Sequence, residues 1–346
     1  MSKTVAEIKS LIKVREDDMA GLWQRHDDDW DLLTLEEYVP VAGYESYTSP
    51  SPRNLFKKVV DGLNRSVLSI SIEQSADATD EETKAASTGE IFLYGALAAV
   101  DRRLRNVGEP PVRQSMAHYS ALRGWYAQRC LVYVPDGEQD VVFDVQPWDI
   151  RHVTWEMGSD GPLWAAYKRV MSAAQIHDEY PNADIGTAKD AVVIDFWDGD
   201  ENSVIVRDGW GKEPTNHGIG HVPVWIGAVG GTPSMQPGLN ASSAGSVDGN
   251  LLKFKGDSVW DSSRDQYQPW NTHVSTLMDI AKKGNVGSLV YESVDGKKKI
   301  DGDPHETFAI VPLVYGKEKI YPLDSPRAAP ETKDLLNIFG AAIEQS

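Results

Sequence analysis

Apolar residues recur three or four positions apart through the first 128 residues and again beyond residue 256, with alternating stretches between. Residues 4–23 place Val5, Ile8, Leu11 and Ile12 on one face, followed by Met19, Leu22 and Trp23, which predicts a helix. Ser51-Pro52 opens a second helix with proline at its first position, and Leu55, Phe56, Val59, Val60, Leu63 and Val67 supply the face to be buried. A third is expected from about Asp80 to Arg105. Acids (Asp80, Glu81, Glu82) start it and bases (Arg102, Arg103, Arg105) close it, matching the helix dipole. Its apolar block is Ile91, Phe92, Leu93, Leu97 and Val100. After Gly108-Glu109-Pro110-Pro111 a fourth helix covers about 113–128 and leads into a strand, Cys130 to Val134.

From there to about 230 the pattern is that of strands. Val141–Val145, Val153–Glu156, Leu163–Val170, Val192–Trp197, Ser203–Arg207 and Val222–Ile226 are expected strands, with Ser172 capping a short helix, Ala173–Tyr180. Asp198-Gly199-Asp200-Glu201-Asn202 reads as a hairpin turn, and 209–220 as a polar loop. Residues 41–52 form a polar, proline-bearing linker, and 230–250 are Gly, Ser, Pro and Asn with little to bury.

Beyond Gly256, Asp257 and Ser258 are good cap residues for a long helix. Its apolar stripe is Trp260, Tyr267, Trp270, Val274, Leu277, Met278 and Ala281, and Lys282-Lys283 precede the terminator Gly284-Asn285. Pro269 inside the run predicts a kink or a break. The stripe packs either on its own domain or against copies of itself. Next come a strand, Ser288–Ser293, an Asp295-Gly296 turn and a basic second arm, Lys297–Ile300. Strands at Phe308–Val311 and Lys319–Leu323 follow, then a helix from Glu331 to Glu344 whose pattern is still running at the last residue, so the chain reads as cut off.

With 41% hydrophobic and 25% charged residues, composition is that of a globular protein. Single Cys130 excludes an intrachain disulfide and gives no zinc-site spacing. No apolar run reaches the length of a membrane span, and the N-terminus lacks a signal-peptide core. A net charge of −18 disfavours tight DNA binding by counterion release, though not the passage of DNA through a channel. Charge is uneven: residues 1–50 hold 5 Lys/Arg against 11 Asp/Glu, whereas 251–300 hold 8 against 6. Asp27, Asp28, Asp29 and Asp31 lack the glycine and the ligand alternation of a calcium loop and read as a solvated acidic turn. No phosphate-binding glycine loop, nucleophile elbow or HExxH motif occurs.

The succession of a helical start, a mixed region containing VQPWDIRHVTWE, a flexible loop, the GDSVWDSSRDQYQPWNTHVSTL helix, a small basic β segment and a returning helix resembles tailed-bacteriophage portal proteins. The resemblance lies in order and texture over most of the chain, and it implies an α+β fold. It divides the chain into an acidic helical arm (1–50), a wing of helices and mixed sheet (51–229), a loop (230–255), a first stem helix (256–288), a clip (289–330) and the start of a second stem helix (331–346). In that family a strand ending in a Pro-Trp step, here Gln146 to Ile150, belongs to the wing. A portal chain normally continues into more wing, a tunnel loop and a C-terminal crown; this sequence stops before all three, as expected of a longer chain cut short.

The resemblance implies a ring subunit, usually one of twelve, at the portal vertex of the virion and assembled in the host cytoplasm. Its expected partners are further copies of itself, the major capsid protein, the terminase large subunit, the head-to-tail adaptor protein and double-stranded DNA passing through the channel, with no membrane. No catalytic residue, cofactor or metal is implied. Trp260, Tyr267, Trp270, Val274, Leu277 and Met278 become candidate subunit-interface residues. Lys282, Lys283, Lys297, Lys298 and Lys299 become candidate contacts to DNA, motor or adaptor. Two readings of other classes stay open: a metal-dependent hydrolase using Asp198, Asp200 and Glu201 or Asp301, Asp303 and His305, and an acidic virion adaptor without a channel.

Overall fold

The computed structural model describes residues 2–36, 45–75, 77–134, 141–230, 252, 255–286, 288–293, 318–323, 334, 337, 340 and 341. The fold is α+β, with every strand pairing antiparallel. The chain divides into one unit of residues 1–33 and 53–261 and another of 34–52 and 262–346.

The first unit begins with α1 (Val5–Thr34). Thr4 and Glu7 cap it reciprocally: the Glu7 carboxylate accepts from the Thr4 N–H (2.7 Å) and the Thr4 hydroxyl from the Glu7 N–H (3.3 Å). The helix outruns its expected end and absorbs the acidic run, so Asp27–Asp31 form no turn. Asp27 takes both nitrogens of the Arg151 fork at 2.7 and 2.8 Å, and Asp29 is fully buried. Nor is α1 a separate arm. Ile8 and Ile12 are buried with Trp164, Phe196 and Ile205, and Met19 and Leu22 with Trp125, Trp148 and Trp155.

Helix α2 (Ser51–Arg65) starts where its proline predicts, but of the expected apolar face Phe56 alone is buried; Val67 lies past the helix end at 92% exposure. Helix α3 (Asp80–Asn106) gains a Thr79–Glu82 capping box, and α4 (Val112–Arg123) stops at Gly124 rather than near 128. Gly124 has φ 65°, and a Cβ there would lie 2.7 Å from the backbone of Gly256, Asp257 and Ser258. Only glycine satisfies both demands. Strand β1 (Trp125–Tyr133) therefore begins at once and sits between β2 (Val142–Trp148) and β8 (Val224–Ala228).

A five-stranded meander follows: β3 (Val153–Met157), β4 (Pro162–Ser172), β5 (Asp190–Asp198), β6 (Glu201–Val206) and β7 (Gly209–Asn216), with α5 (Ala173–Glu179) capped by Ser172 between β4 and β5. The β7 segment was expected as a loop. As an exposed edge strand it needs no alternating apolar face, and its polar, glycine-bearing sequence carries no strand signal.

In the second unit, α6 (Arg264–Val286) runs unbroken through Pro269. It starts later than its apparent caps because the preceding segment is tied elsewhere. Asp257 N–H donates to Val229 O (3.1 Å), Val259 N–H to Ala121 O (3.0 Å), and the carbonyls of Lys255 and Gly256 accept from Arg25 (2.7 Å each). Strand β9 (Ser288–Ser293) pairs with β10 (Glu318–Leu323), in register from Ser288↔Leu323 to Ser293↔Glu318. The expected turn and arm at 295–300 and the strand at 308–311 lie outside the described residues. Residues 334, 337, 340 and 341 are helical.

Candidate functional site

On α6 the expected stripe divides. Trp260 lies in the turns before the helix, fully buried and stacked on Phe56 at 5.6 Å, and Tyr267 is 1% exposed. Both are thus covered within a single chain. Trp270, Val274 and Leu277 are half-buried and Met278 is exposed. Trp270 also receives the returning helix: a Cβ on Gly340 would sit 3.3 Å from its ring, so this helix approaches closely where it lacks a side chain.

A second stripe, Asn271, Ser275 and Asp279, is buried although polar. These side chains accept the backbone N–H groups of Ser49 (3.0 Å), Tyr47 (2.9 Å) and Glu45 (2.8 Å). The match is geometric. Four helical residues rise about 6 Å, and two extended residues span about 6.6 Å. Residues 45–49 of the expected linker thus lie as an extended strap along α6, antiparallel to it.

Lys282 and Lys283 fall in the last turns of α6, with their side chains outside the described residues; Lys297, Lys298 and Lys299 lie outside them altogether, as do Asp301, Asp303 and His305. Asp198, Asp200 and Glu201 form the β5–β6 turn. Asp198 accepts from the N–H groups of Asp200 (3.1 Å) and Glu201 (2.8 Å) and pairs with Lys3. Burial pushes its carboxyl up, but the Lys3 ammonium and the two amides hold it below its ordinary value. Glu201 accepts from the Ser2 hydroxyl (2.6 Å). Among the described residues, no group of three or more His, Cys, Asp or Glu is placed to hold a metal ion. A cleft of about 370 Å³ lies beside the same N-terminal segment, lined by Ser2, Lys3, Thr4, Val5, Trp210, Glu213 and Pro214.

Two buried ionic networks in the first unit escape a reading by composition. Arg129 donates to Asp144 (2.7 Å) and Asp195 (3.2 Å); Arg103 takes the other oxygen of Asp144, and the Asn202 amide the other oxygen of Asp195 (2.9 Å). All four carboxylate oxygens therefore have donors. The arrangement clamps β1 and β2 to β5 and β6. Burial pushes the Asp195 carboxyl up and the Lys212 ammonium, 2.8 Å from Asn202, down. The signal was phase: Arg129 is in step with Trp125 and Ala127, Asp144 with Trp148, and Asp195 with Val193 and Trp197, so each charge sits on a core-facing position.

The second network gathers at the Pro-Trp-Asp step. Arg123, 4% exposed, forks onto Asp149 at 3.1 and 2.9 Å and donates to the His26 carbonyl. Asp149 also accepts from the Arg151 N–H (3.0 Å), closing the single turn Ile150–His152. The motif thus anchors α4 and α1 to the sheet. No protein-family model matches this chain, and neither does any curated protein.

Proposed function

We propose that this chain is a portal-type subunit that assembles into a closed ring at one capsid vertex. The ring would form the channel for double-stranded DNA and dock the terminase motor and the head-to-tail adaptor. The observation that supports the reading most is the plan of the second unit. A 23-residue helix leads into a small two-stranded antiparallel sheet, and among the described residues beyond it 334, 337, 340 and 341 are helical, with Gly340 against Trp270. Helix out, small sheet at the far end and helix back is what a stem and clip require. The half-buried and exposed residues Trp270, Val274, Leu277 and Met278 are then the part of the stem stripe left for a neighbouring copy. Heterologous contacts between identical subunits close into a ring when the rotation permits.

Native mass spectrometry and negative-stain microscopy of the purified protein test this. The expected result is a ring with a central channel; strictly monomeric protein at high concentration and physiological salt would overturn it.

A further inference from the structure

Helix α3 leaves its own domain with an unusual surface. Of its 27 residues, Ala86, Val100 and Leu104 are buried, while Ile91 is 70% and Phe92 56% exposed. Val67 and Leu68 are exposed beside it: Ile70 N–H donates to the Tyr94 hydroxyl (2.8 Å) and Ile72 N–H to Glu90 (2.8 Å), so this segment runs along the helix, with the end of Ile72 turned onto Gly89. Large apolar side chains left exposed along one helix mark an interaction site.

The outward stripe of α3 is Lys84, Thr88, Ile91, Gly95, Ala98 and Arg102, each exposed. Gly95 is the informative member. A glycine inside an exposed helix destabilises it relative to alanine, and here nothing lies within 4 Å of where a Cβ would stand. Among the described residues nothing requires glycine at that point, whereas the place of a Cβ on Gly89, six residues earlier, is taken by Ile72 at 2.7 Å. A small residue beside an exposed isoleucine is what lets a second helix approach closely.

Charge identifies the second helix. Asp80 and Glu81 stand exposed at one end of α3 and Arg102 and Arg105 at the other. An antiparallel copy of α3 presents the reverse order, acid against base at both ends. Centred near residue 93, such a pair sets Ile91 of each copy over the partner's Gly95 and Glu81 opposite the partner's Arg105. We infer that α3 pairs antiparallel with α3 of a second copy of this chain, across a two-fold axis. A two-fold contact uses the same surface on both copies, so it leaves ring-closing surfaces free and does not rest on the ring reading. If rings form, it joins two of them.

The register makes an asymmetric forecast. Lys84 of each copy meets the partner's Arg102, a like-charge pair. Sedimentation velocity and native mass spectrometry of the whole chain should therefore give three results. Wild-type protein should show twofold species, dimers or paired rings, at micromolar concentration. Gly95→Leu should weaken pairing at least tenfold while raising the thermal midpoint, because leucine is the better helix former; that rise separates lost pairing from lost folding. Lys84→Glu should tighten pairing at low salt. Wild-type monomers or unpaired single rings would overturn the inference and give the patch to a different protein, the ring reading surviving in the second case. So would a Gly95→Leu variant that pairs as wild type, or a Lys84→Glu variant that pairs more weakly. Dimers without rings would uphold the inference and count against the ring.

Discussion

At His26, burial and three guanidinium groups act in the same direction. The ring is fully buried, and burial followed by the charges of Arg123, Arg25 and Arg151 pushes its pKa from 6.5 down to about 2, against a smaller opposing effect of the Arg123 backbone. In the unfolded chain the ring protonates near 6.5; in the folded chain it stays neutral until about 2. Between those values the unfolded state binds more protons, so the contribution is fully present above 6.5 and is lost as pH falls. Denaturant titrations of the wild type should show about 2 kcal/mol more loss from pH 7 to pH 5 than those of His26→Leu. Parallel acid dependence in the two proteins would mean that the imidazole is protonated in the folded state. Nothing in the sequence announced this histidine, because His26 stands in an acidic run, DDDWD following it, that reads as solvated surface. Asp27 is instead turned to Arg151, a partner over a hundred positions away, while Asp28 stays exposed and accepts from the Gln24 amide. By contrast, the inward phase of Arg129, Asp144 and Asp195 was open to inspection along each strand, one alternation at a time.

Elements with a local signal were legible, and those defined by a distant partner were not. The β9 strand coincides with its expected bounds, Ser288–Ser293, and α3 matches to about one residue, because apolar period and end charges act within the segment itself. The start of α6 moved to Arg264 because the backbone of 255–259 is committed to β8, α4 and Arg25. The strap at 45–49 was hidden for a related reason. Its residues are polar and its acceptors, Asn271, Ser275 and Asp279, look like the wet side of an amphipathic helix until their four-residue spacing is set against the two-residue spacing of the strap. This predicts a specific vulnerability. Asn271→Ala should leave the buried Ser49 N–H without an acceptor and destabilise the protein by about 1–3 kcal/mol, although alanine favours the helix. Hydrogen exchange should quicken at Ser49 first and at Tyr47 and Glu45 less. If the Ser49 amide exchanges at the wild-type rate in that variant, the strap is not held by the stripe.

On the scale of the whole molecule, charge carries the remaining prediction. The chain has a net charge of −18, yet Lys282, Lys283, Lys297, Lys298 and Lys299 fall within eighteen positions, two of them in the last turns of α6. The helix dipole accounts for the first pair, and solvation of an exposed arm would account for the triplet. Repeated around the proposed ring, they would form a positive collar on an acidic body. Such a collar touches phosphates, or an acidic face of the motor or adaptor, through contacts that weaken with salt because they are exposed and screened. Replacing Lys297, Lys298 and Lys299 together by Gln should leave ring assembly intact while reducing DNA packaging or adaptor docking. A suitable comparison is the pair Lys168 and Arg169 on β4, which are engaged within the chain by Glu16 and Glu179. Their replacement should cost some stability, both pairs being half-buried, and leave packaging unchanged. Particles filled to the wild-type DNA content, together with wild-type adaptor binding, in the triple Gln variant would reduce the collar to solvated charge and leave the ring without a basic contact at its narrow end.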